Sequence, residues 1–170
     1  MKVTLFMAVS INGYVAGPDD YTDWVKDTQI LAEIIREKGA CIMGRRTYDI
    51  CLAYNDFPFK NALNVVITHD KNLITKSTST EIFTDTNLSD LILDLEGRGK
   101  KELVVLGGGN INTLFLKDKL IDEIIVDVHP IILSSGTKLF ENIFPSVNLE
   151  FLATKSLDSG MVQIKYRVLK

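Results

Sequence analysis

ELVVLGGGNINTLFL, residues 102–116, is the stretch from which the rest of the chain is read. Leu103, Val104, Val105 and Leu106 form an apolar block too short for a buried helix and rich in β-branched residues, which predicts a buried strand. Gly107, Gly108 and Gly109 then remove every Cβ from the turn, permitting positive φ and letting a ligand approach the main chain directly. Asn110 is placed to cap the following helix, whose free N–H groups and positive dipole end would face whatever rests on the glycines. Strand, glycine turn and helix start together make a ready anion site. The spacing is not the Gly-x-Gly-x-x-Gly dinucleotide fingerprint, because Asn112 stands where its last glycine belongs.

Around this stretch, strand-like and helix-like runs alternate. Upstream, residues 2–10 (KVTLFMAVS) are apolar on both faces once past the threonine, as in a central strand covered on both sides. Ser10, Asn12 and Gly13 break that run before Tyr14, Val15 and Ala16, and 17–20 (GPDD) form a turn. Val25, Ile30, Leu31, Ile34 and Ile35 recur at helical spacing, with Gly39 as a stop. Further strands are predicted at 40–43, 64–68 and 81–83. A short helix opens at Arg45, and another carries Leu91, Ile92 and Leu95 behind a cap at Asn87 or Ser89. Downstream, 123–128 reads as a strand, followed by Pro130 and an apolar run at 131–133. Residues 149–156 and 161–169 read as an antiparallel hairpin. This order predicts one layered α/β domain over 1–170, with a mainly parallel sheet and an antiparallel edge.

Composition narrows the function classes. The 170 residues are 46% apolar and 24% charged, ordinary for a globular chain, and the net charge of −3 with no Lys/Arg run longer than two argues against a nucleic-acid partner. No apolar run reaches the roughly 20 residues a membrane span needs, and no charged-then-apolar leader opens the chain, so a cytoplasmic protein is expected. Cys41 and Cys51 sit singly in apolar surroundings and read as small buried hydrophobes. His69 and His129 lie sixty residues apart without neighbours at ligand spacing, so no metal site is expected.

The chemistry gathers where strands end, because the carboxyl ends of parallel strands line one crevice. After the second strand of the α/β part come Gly44, Arg45, Arg46 and Thr47, two guanidinium groups and a hydroxyl at a helix start. Thr68 and His69 follow the third strand, and the glycine triplet the fifth. Arginine forks bind phosphate bidentately and stay charged, while cations beside a helix N-terminus are unfavourable unless something anionic compensates. A dinucleotide carrying an extra phosphate suits these groups better than a sugar or a peptide.

In order and spacing, CIMGRRTY (41–48), NVVIT (64–68) and VVLGGGN (104–110) resemble the motifs of the dihydrofolate reductase fold. LIDE (120–123), HPIIL (129–133) and GTKLF (136–140) are similar to the reductase domain of the riboflavin-pathway deaminase-reductases. The resemblance implies a three-layer fold with a central sheet of about eight mostly parallel strands, flanking helices and a C-terminal antiparallel hairpin. It further implies an NADPH-dependent reductase transferring hydride to a pteridine- or pyrimidine-like heterocycle, and a homodimer. Carried over by position, the main chain at Ala8 would hold the carboxamide, with Val15 and Ala16 near the nicotinamide. Arg45, Arg46 and Thr47 would take phosphates, Thr68 and His69 the adenosine 2′-phosphate end, and Gly107, Gly108, Gly109, Asn110 and Ile111 the pyrophosphate. In that family a cis peptide joins the first two glycines of the triplet.

The substrate half departs from both branches. Folate reductases carry an acid at the start of the first helix; Asp27 lies one residue off that spacing, and Thr28 occupies it. Asp27 is the candidate acid, with the helix dipole as its competing explanation. Asp23 and Trp24 resemble a pair bordering the substrate pocket in uncharacterised bacterial members of the superfamily. The riboflavin-pathway enzymes carry a glutamate where this chain has Gly107. The lack of a convincing acid keeps a second reading open, a dinucleotide-binding or regulatory dimeric module without turnover.

Overall fold

The computed structural model describes residues 1–26, 28–142 and 145–170. In chain order the strands are β1 (Lys2–Ser10), β2 (Tyr14–Ala16), β3 (Ala40–Gly44), β4 (Leu63–Ile67), β5 (Glu81–Thr84), β6 (Glu102–Val105), β7 (Glu123–His129), β8 (Thr137–Lys138), β9 (Leu149–Ser156) and β10 (Val162–Val168). The helices are α1 (Thr28–Lys38), α2 (Arg45–Leu52), α3 (Lys71–Ile74), α4 (Leu88–Gly97) and α5 (Gly109–Lys117). Eight strands form one sheet in the order β5-β4-β3-β6-β1-β7-β10-β9. Neighbours from β5 to β7 run parallel, and β10 is antiparallel to both β7 and β9. β2 and β8 pair apart from it as a short antiparallel ribbon. The three-layer α/β architecture expected from the sequence is therefore the one observed.

Strand alternation decides which helices cover which face. Val3, Leu5, Ile42, Leu103 and Val105 point to the side where α4 and α5 lay down Leu91, Leu95, Ile111 and Phe115. Phe6, Cys41, Met43, Val66 and Val104 point to the other, against Ile35 of α1 and Tyr48 and Cys51 of α2. Each fully buried Leu, Ile or Phe here contributes about 1.5–3 kcal/mol relative to exposure. Burial on both faces explains why the β1, β3 and β6 segments read as continuous apolar runs. Among the described residues, no helix is long and apolar enough to cross a membrane.

Local expectations fail in two places, at Val25 and at Asn110. α1 starts at Thr28, so Val25 lies before the helix it was expected to join. Asn110 does not cap α5: Gly108 is the N-cap, in an extended conformation with φ −67° and ψ −164°, and Asn110 already sits inside the first turn. The apolar run at 131–133 forms no strand; Leu133 N–H donates to Asn12 Oδ1, and the strand in this region is β8. Asn87, by contrast, caps α4 by accepting from Asp90 N–H at 2.9 Å.

Candidate active site

The glycine turn lies beside the end of β3, as the parallel pairing of β3 with β6 requires: Gly44 N–H donates to Gly107 O at 2.7 Å. Gly107 has φ +84° and is joined to Gly108 by a cis peptide. The three glycines differ in what surrounds them. A Cβ on Gly107 would meet Met7 Sδ at 3.1 Å and Asn112 Oδ1 at 3.3 Å, and one on Gly109 would collide with the Lys138 carbonyl. Over Gly108 the nearest atom would be Thr47 Oγ1 at 3.8 Å. So the middle glycine leaves its main chain open, flanked by the Thr47 hydroxyl and the first-turn N–H groups of α5, which have no intrahelical acceptor. Ile111 fills the space against Gly44, with Cγ1 3.1 Å from where that residue's Cβ would stand.

The segment after β7 clamps the start of α5. Asn112 Nδ2 donates to Leu139 O at 2.9 Å, while Asn112 Oδ1 is buried with no hydrogen-bond partner among the described residues. Thr113 Oγ1 donates to Gly109 O at 2.7 Å and accepts from Glu141 N–H at 2.8 Å. Leu139 N–H donates to Gly13 O at 2.9 Å, and a Cβ on Gly136 would collide with the Ala16 carbonyl. β2, which carries Val15 and Ala16, is thereby held over the glycine turn by β8. Val15 itself is buried in the core on the α4 and α5 side.

Both arginines are already matched by carboxylates of the chain. Arg45 Nε donates to Asp49 Oδ1 at 2.7 Å and Arg45 Nη1 lies 3.7 Å from Asp70. The Asp49 bond is the main cause of a raised Arg45 pKa. Arg46 makes a fork with Asp20, at 3.0 and 2.6 Å. The cations at the start of α2 thus do not by themselves point to an external anion, a correction to the sequence reading; the compensating charges come from Asp20, Asp49 and Asp70. These pairs are exposed, and exposed ion pairs are weak enough for a phosphate to displace. Thr68 is buried, its hydroxyl accepting from Asp70 N–H at 3.1 Å, and Asp70 caps α3 by accepting from Asn72 N–H. His69 is exposed. Nearby, burial and a 2.8 Å bond to Glu81 push the Tyr48 hydroxyl up to about 12.

On the α1 and α2 face, Ala8 of β1 is half-buried and in register with Asp127 of β7, and Ser10 with His129. His129 is buried, and its neutral tautomer is dictated by its partners. Asp127 O can only accept, so Nδ1 carries the proton across 2.9 Å, and Nε2 accepts from Lys26 N–H at 3.1 Å. Trp24 stands edge-on to that ring, centroids 5.1 Å apart, and its indole N–H donates to Tyr21 O. Asp23, the neighbour expected beside the pocket, is exposed. Asp27, the candidate acid, lies outside the described residues. The sequence reading passed over Asp127, whose signal is a carboxylate inside the apolar run EIIVDVH. It also passed over Asp20 and Asp70, for which local sequence holds no signal beyond turn and cap preference.

Comparison with known proteins gives a consistent picture. The family model described as the RibD C-terminal domain matches residues 1–163. The chain is 26% identical to the uncharacterized protein YyaP of Bacillus subtilis (strain 168), over 97% of this chain and 94% of that protein. It is 25% identical to the uncharacterized protein YwjB of the same organism, over 97% of each. Among solved structures, it is similar to a protein of Shewanella sp. PV-4 named for riboflavin biosynthesis, with a TM-score of 0.87 and 26% identity over 100% of both chains. A pyrimidine reductase-like protein from Corynebacterium diphtheriae has a TM-score of 0.76 at 16% identity, over 99% of this chain and 92% of that one, a likeness of fold.

Proposed function

Because this chain belongs to the RibD C-terminal domain family, we propose that it is a reductase that uses NADPH to reduce a small pteridine- or pyrimidine-like heterocycle, with 1–170 acting as one domain. The observation that carries this is the convergence of the β3 and β6 ends. Gly44 is bonded to Gly107, and Gly108 leaves its main chain open beside Thr47.

The residues fit a dinucleotide. The open main chain at Gly108, with the N–H groups of Gly109, Asn110 and Ile111, would hold the pyrophosphate, and Thr47 would add a hydroxyl. Arg45, Arg46, Thr68 and His69 would face the remaining phosphates, exchanging Asp20, Asp49 or Asp70 for the ligand. Ala8, Val15 and Ala16 would seat the nicotinamide end through main-chain and apolar contact. When bound, the reduced nicotinamide supplies a hydride. The chain supplies orientation and exclusion of water, with Trp24 and Asp23 beside the substrate and Asp27 as the candidate acid. Such a reductase would work in the cytoplasm, a compartment that suits two free, buried cysteines.

A homodimer fits the β9 edge. Every residue of β9 except Leu152 is exposed, including Leu149 and Phe151 at 41% and 59%, and an edge strand presents unpaired N–H and C=O groups to a second copy.

A thermal-shift titration with NADPH and NADH side by side tests the cofactor reading. A ligand at a hundredfold excess over Kd adds about 2.7 kcal/mol to stability, roughly 5–11 °C in a domain of this size. A shift with NADPH exceeding that with NADH supports the assignment, and no shift with either overturns it. A second reading, a dinucleotide-binding or regulatory dimeric module without turnover, rests on the departure from the helix-start acid, since Thr28 occupies the spacing and Asp27 lies one residue off it. Steady NADPH oxidation with any of a panel of pterins and pyrimidines excludes it.

A further inference from the structure

The two edges of the eight-stranded sheet are finished differently. Along β5 the outer edge is closed by the chain before it: Thr78 N–H donates to Glu81 O at 2.7 Å, Glu81 N–H to Thr78 Oγ1 at 3.0 Å and Phe83 N–H to Ser77 Oγ at 2.9 Å. β9, at the opposite edge, pairs with β10 alone. Its side-chain and flanking bonds run inward too, from Thr154 Oγ1 to Gln163 O, from Leu157 N–H to Met161 O and from Leu169 N–H to Asn148 O. Among the described residues nothing closes the outer edge of β9, and an open edge accepts another strand.

The pairing of β9 with β10 also fixes which way its side chains point, because residues directly opposite each other share a face. Leu149, Phe151, Thr154 and Ser156 lie opposite Val168, Tyr166, Ile164 and Val162, on the side of the α4 and α5 core. Glu150, Ala153 and Lys155 lie opposite Arg167, Lys165 and Gln163, on the other side. Leu152 is an extra residue at the register shift, and it puts Glu150 and Lys155 on one face although one position is even and the other odd. A two-fold axis through the sheet keeps each face on its own side. Two copies of β9 therefore pair along their whole length only if residues before Leu152 meet residues after it. Centred between Leu152 and Ala153, an antiparallel pairing sets Leu149 opposite Ser156, Phe151 opposite Thr154 and Glu150 opposite Lys155, each matched in face and each made twice. A register centred on Glu150 or on Lys155 uses half of the strand and confronts like charges, which is destabilising. We infer that β9 pairs with β9 of a second copy in the whole-length register, with two Glu150–Lys155 ion pairs flanking the axis of one sheet continuous across both copies. The inference rests on the homodimer reading for the partner, and on the extra residue and the charges for the register. Glu150 accepts from Arg167 through Oε2 at 2.6 Å, and Lys155 has no ion pair among the described residues. On the α4 and α5 face, the same axis joins the two Phe151–Tyr166 ring pairs, with centroids 6.1 Å apart in each, and the exposed Leu149 and Val162 into one apolar patch.

Sedimentation equilibrium of the full-length chain over a range of concentrations reads the dimer Kd, with circular dichroism confirming that each variant is folded. Glu150→Lys and Lys155→Glu each set two like-charged pairs across the axis and are expected to raise the Kd by about tenfold. The double substitution, Glu150→Lys with Lys155→Glu, restores opposite charges in this register and is expected to bring the Kd back to within about threefold of the unaltered chain. Glu150→Lys also loses the Arg167 bond, but the double variant shares that loss, so repair reports the contact between copies. Single substitutions that leave the Kd unchanged, or losses that the double substitution does not repair, overturn the inference, while a dimer formed elsewhere keeps the homodimer reading. A chain that is monomeric at every concentration overturns both.

Discussion

Gly109→Ala separates the tertiary reading of the glycine turn from the local one. Gly109 is the first residue of α5, where an alanine that fits stabilises by about 0.4–1 kcal/mol through the unfolded chain. Here a Cβ would come closer than 3.0 Å to the Lys138 carbonyl and 3.4 Å from Thr137 Cγ2. The carbonyl has little freedom to retreat. Tyr14 pairs with Lys138, Leu139 N–H is bonded to Gly13 O, and Leu139 O accepts from Asn112. Restoring van der Waals distance needs a movement of about 1 Å, and overpacking of this kind costs about 1–3 kcal/mol. Setting the gain against the cost leaves a net loss centred on about 1.3 kcal/mol and reaching about 2.6 kcal/mol, up to roughly 10 °C in melting temperature. Gly97→Ala is the control: Gly97 ends α4 with nothing within 4 Å of a Cβ, so the same change there is expected to raise the melting temperature. Thermal unfolding followed by circular dichroism reads both variants. If Gly109→Ala is stabilised like Gly97→Ala, β8 does not close on the start of α5 and the description of the site is wrong.

Asp70→Asn keeps the α3 cap, since asparagine caps as well as aspartate, and removes one of the carboxylates facing Arg45. NADPH affinity is expected to rise by up to about fivefold with NADH unchanged, the scale of an exposed ion pair, in paired thermal-shift titrations; equal changes for both would dissociate Arg45 from the 2′-phosphate. Burial raises the Cys51 thiol to about 12, and burial also raises Cys41, with Cys51 nearby adding to it. Because these pKa values are raised by folding, the stability they carry is intact below the unfolded thiol pKa of about 8.5 and is lost as pH climbs toward the folded values. The slope is about 1.4 kcal/mol per pH unit per thiol in that window. Urea unfolding from pH 8 to 10.5 should show this alkaline decline, and Cys51→Ala should flatten it; an unchanged slope in the variant would mean the thiol is not protected. Phe151→Lys is expected to shift sedimentation toward the monomer with stability held within about 0.5 kcal/mol, as befits an exposed side chain, and an unchanged sedimentation coefficient would move the dimer interface away from β9.

The fold was legible because its information is local. Strands buried on both faces leave unbroken runs such as Leu103 to Leu106, helices leave a stripe such as Leu91 and Leu95, and the Gly107 turn needs residues without Cβ atoms. Where a neighbouring main chain overrode local preference, the reading slipped. Asn110 is a good cap by residue type, but the extended Gly108 caps the helix instead, two residues earlier. Thr137 and Lys138, unremarkable in sequence, form a strand because they find a partner in β2.

By itself, then, the sequence determined the layered α/β frame, the buried strands and the position of an anion-accepting glycine turn, because hydrophobic period and backbone permissiveness act over a few residues. Only the tertiary structure decided which polar groups meet. Arg46 and Asp20 are 26 residues apart, Lys26 and His129 are 103 apart, and Gln163 and Asp127 are 36 apart. Strand order sets those meetings. With β7 between β1 and β10, a carboxylate in one apolar run is carried to the rim of the crevice, and no local pattern encodes that placement.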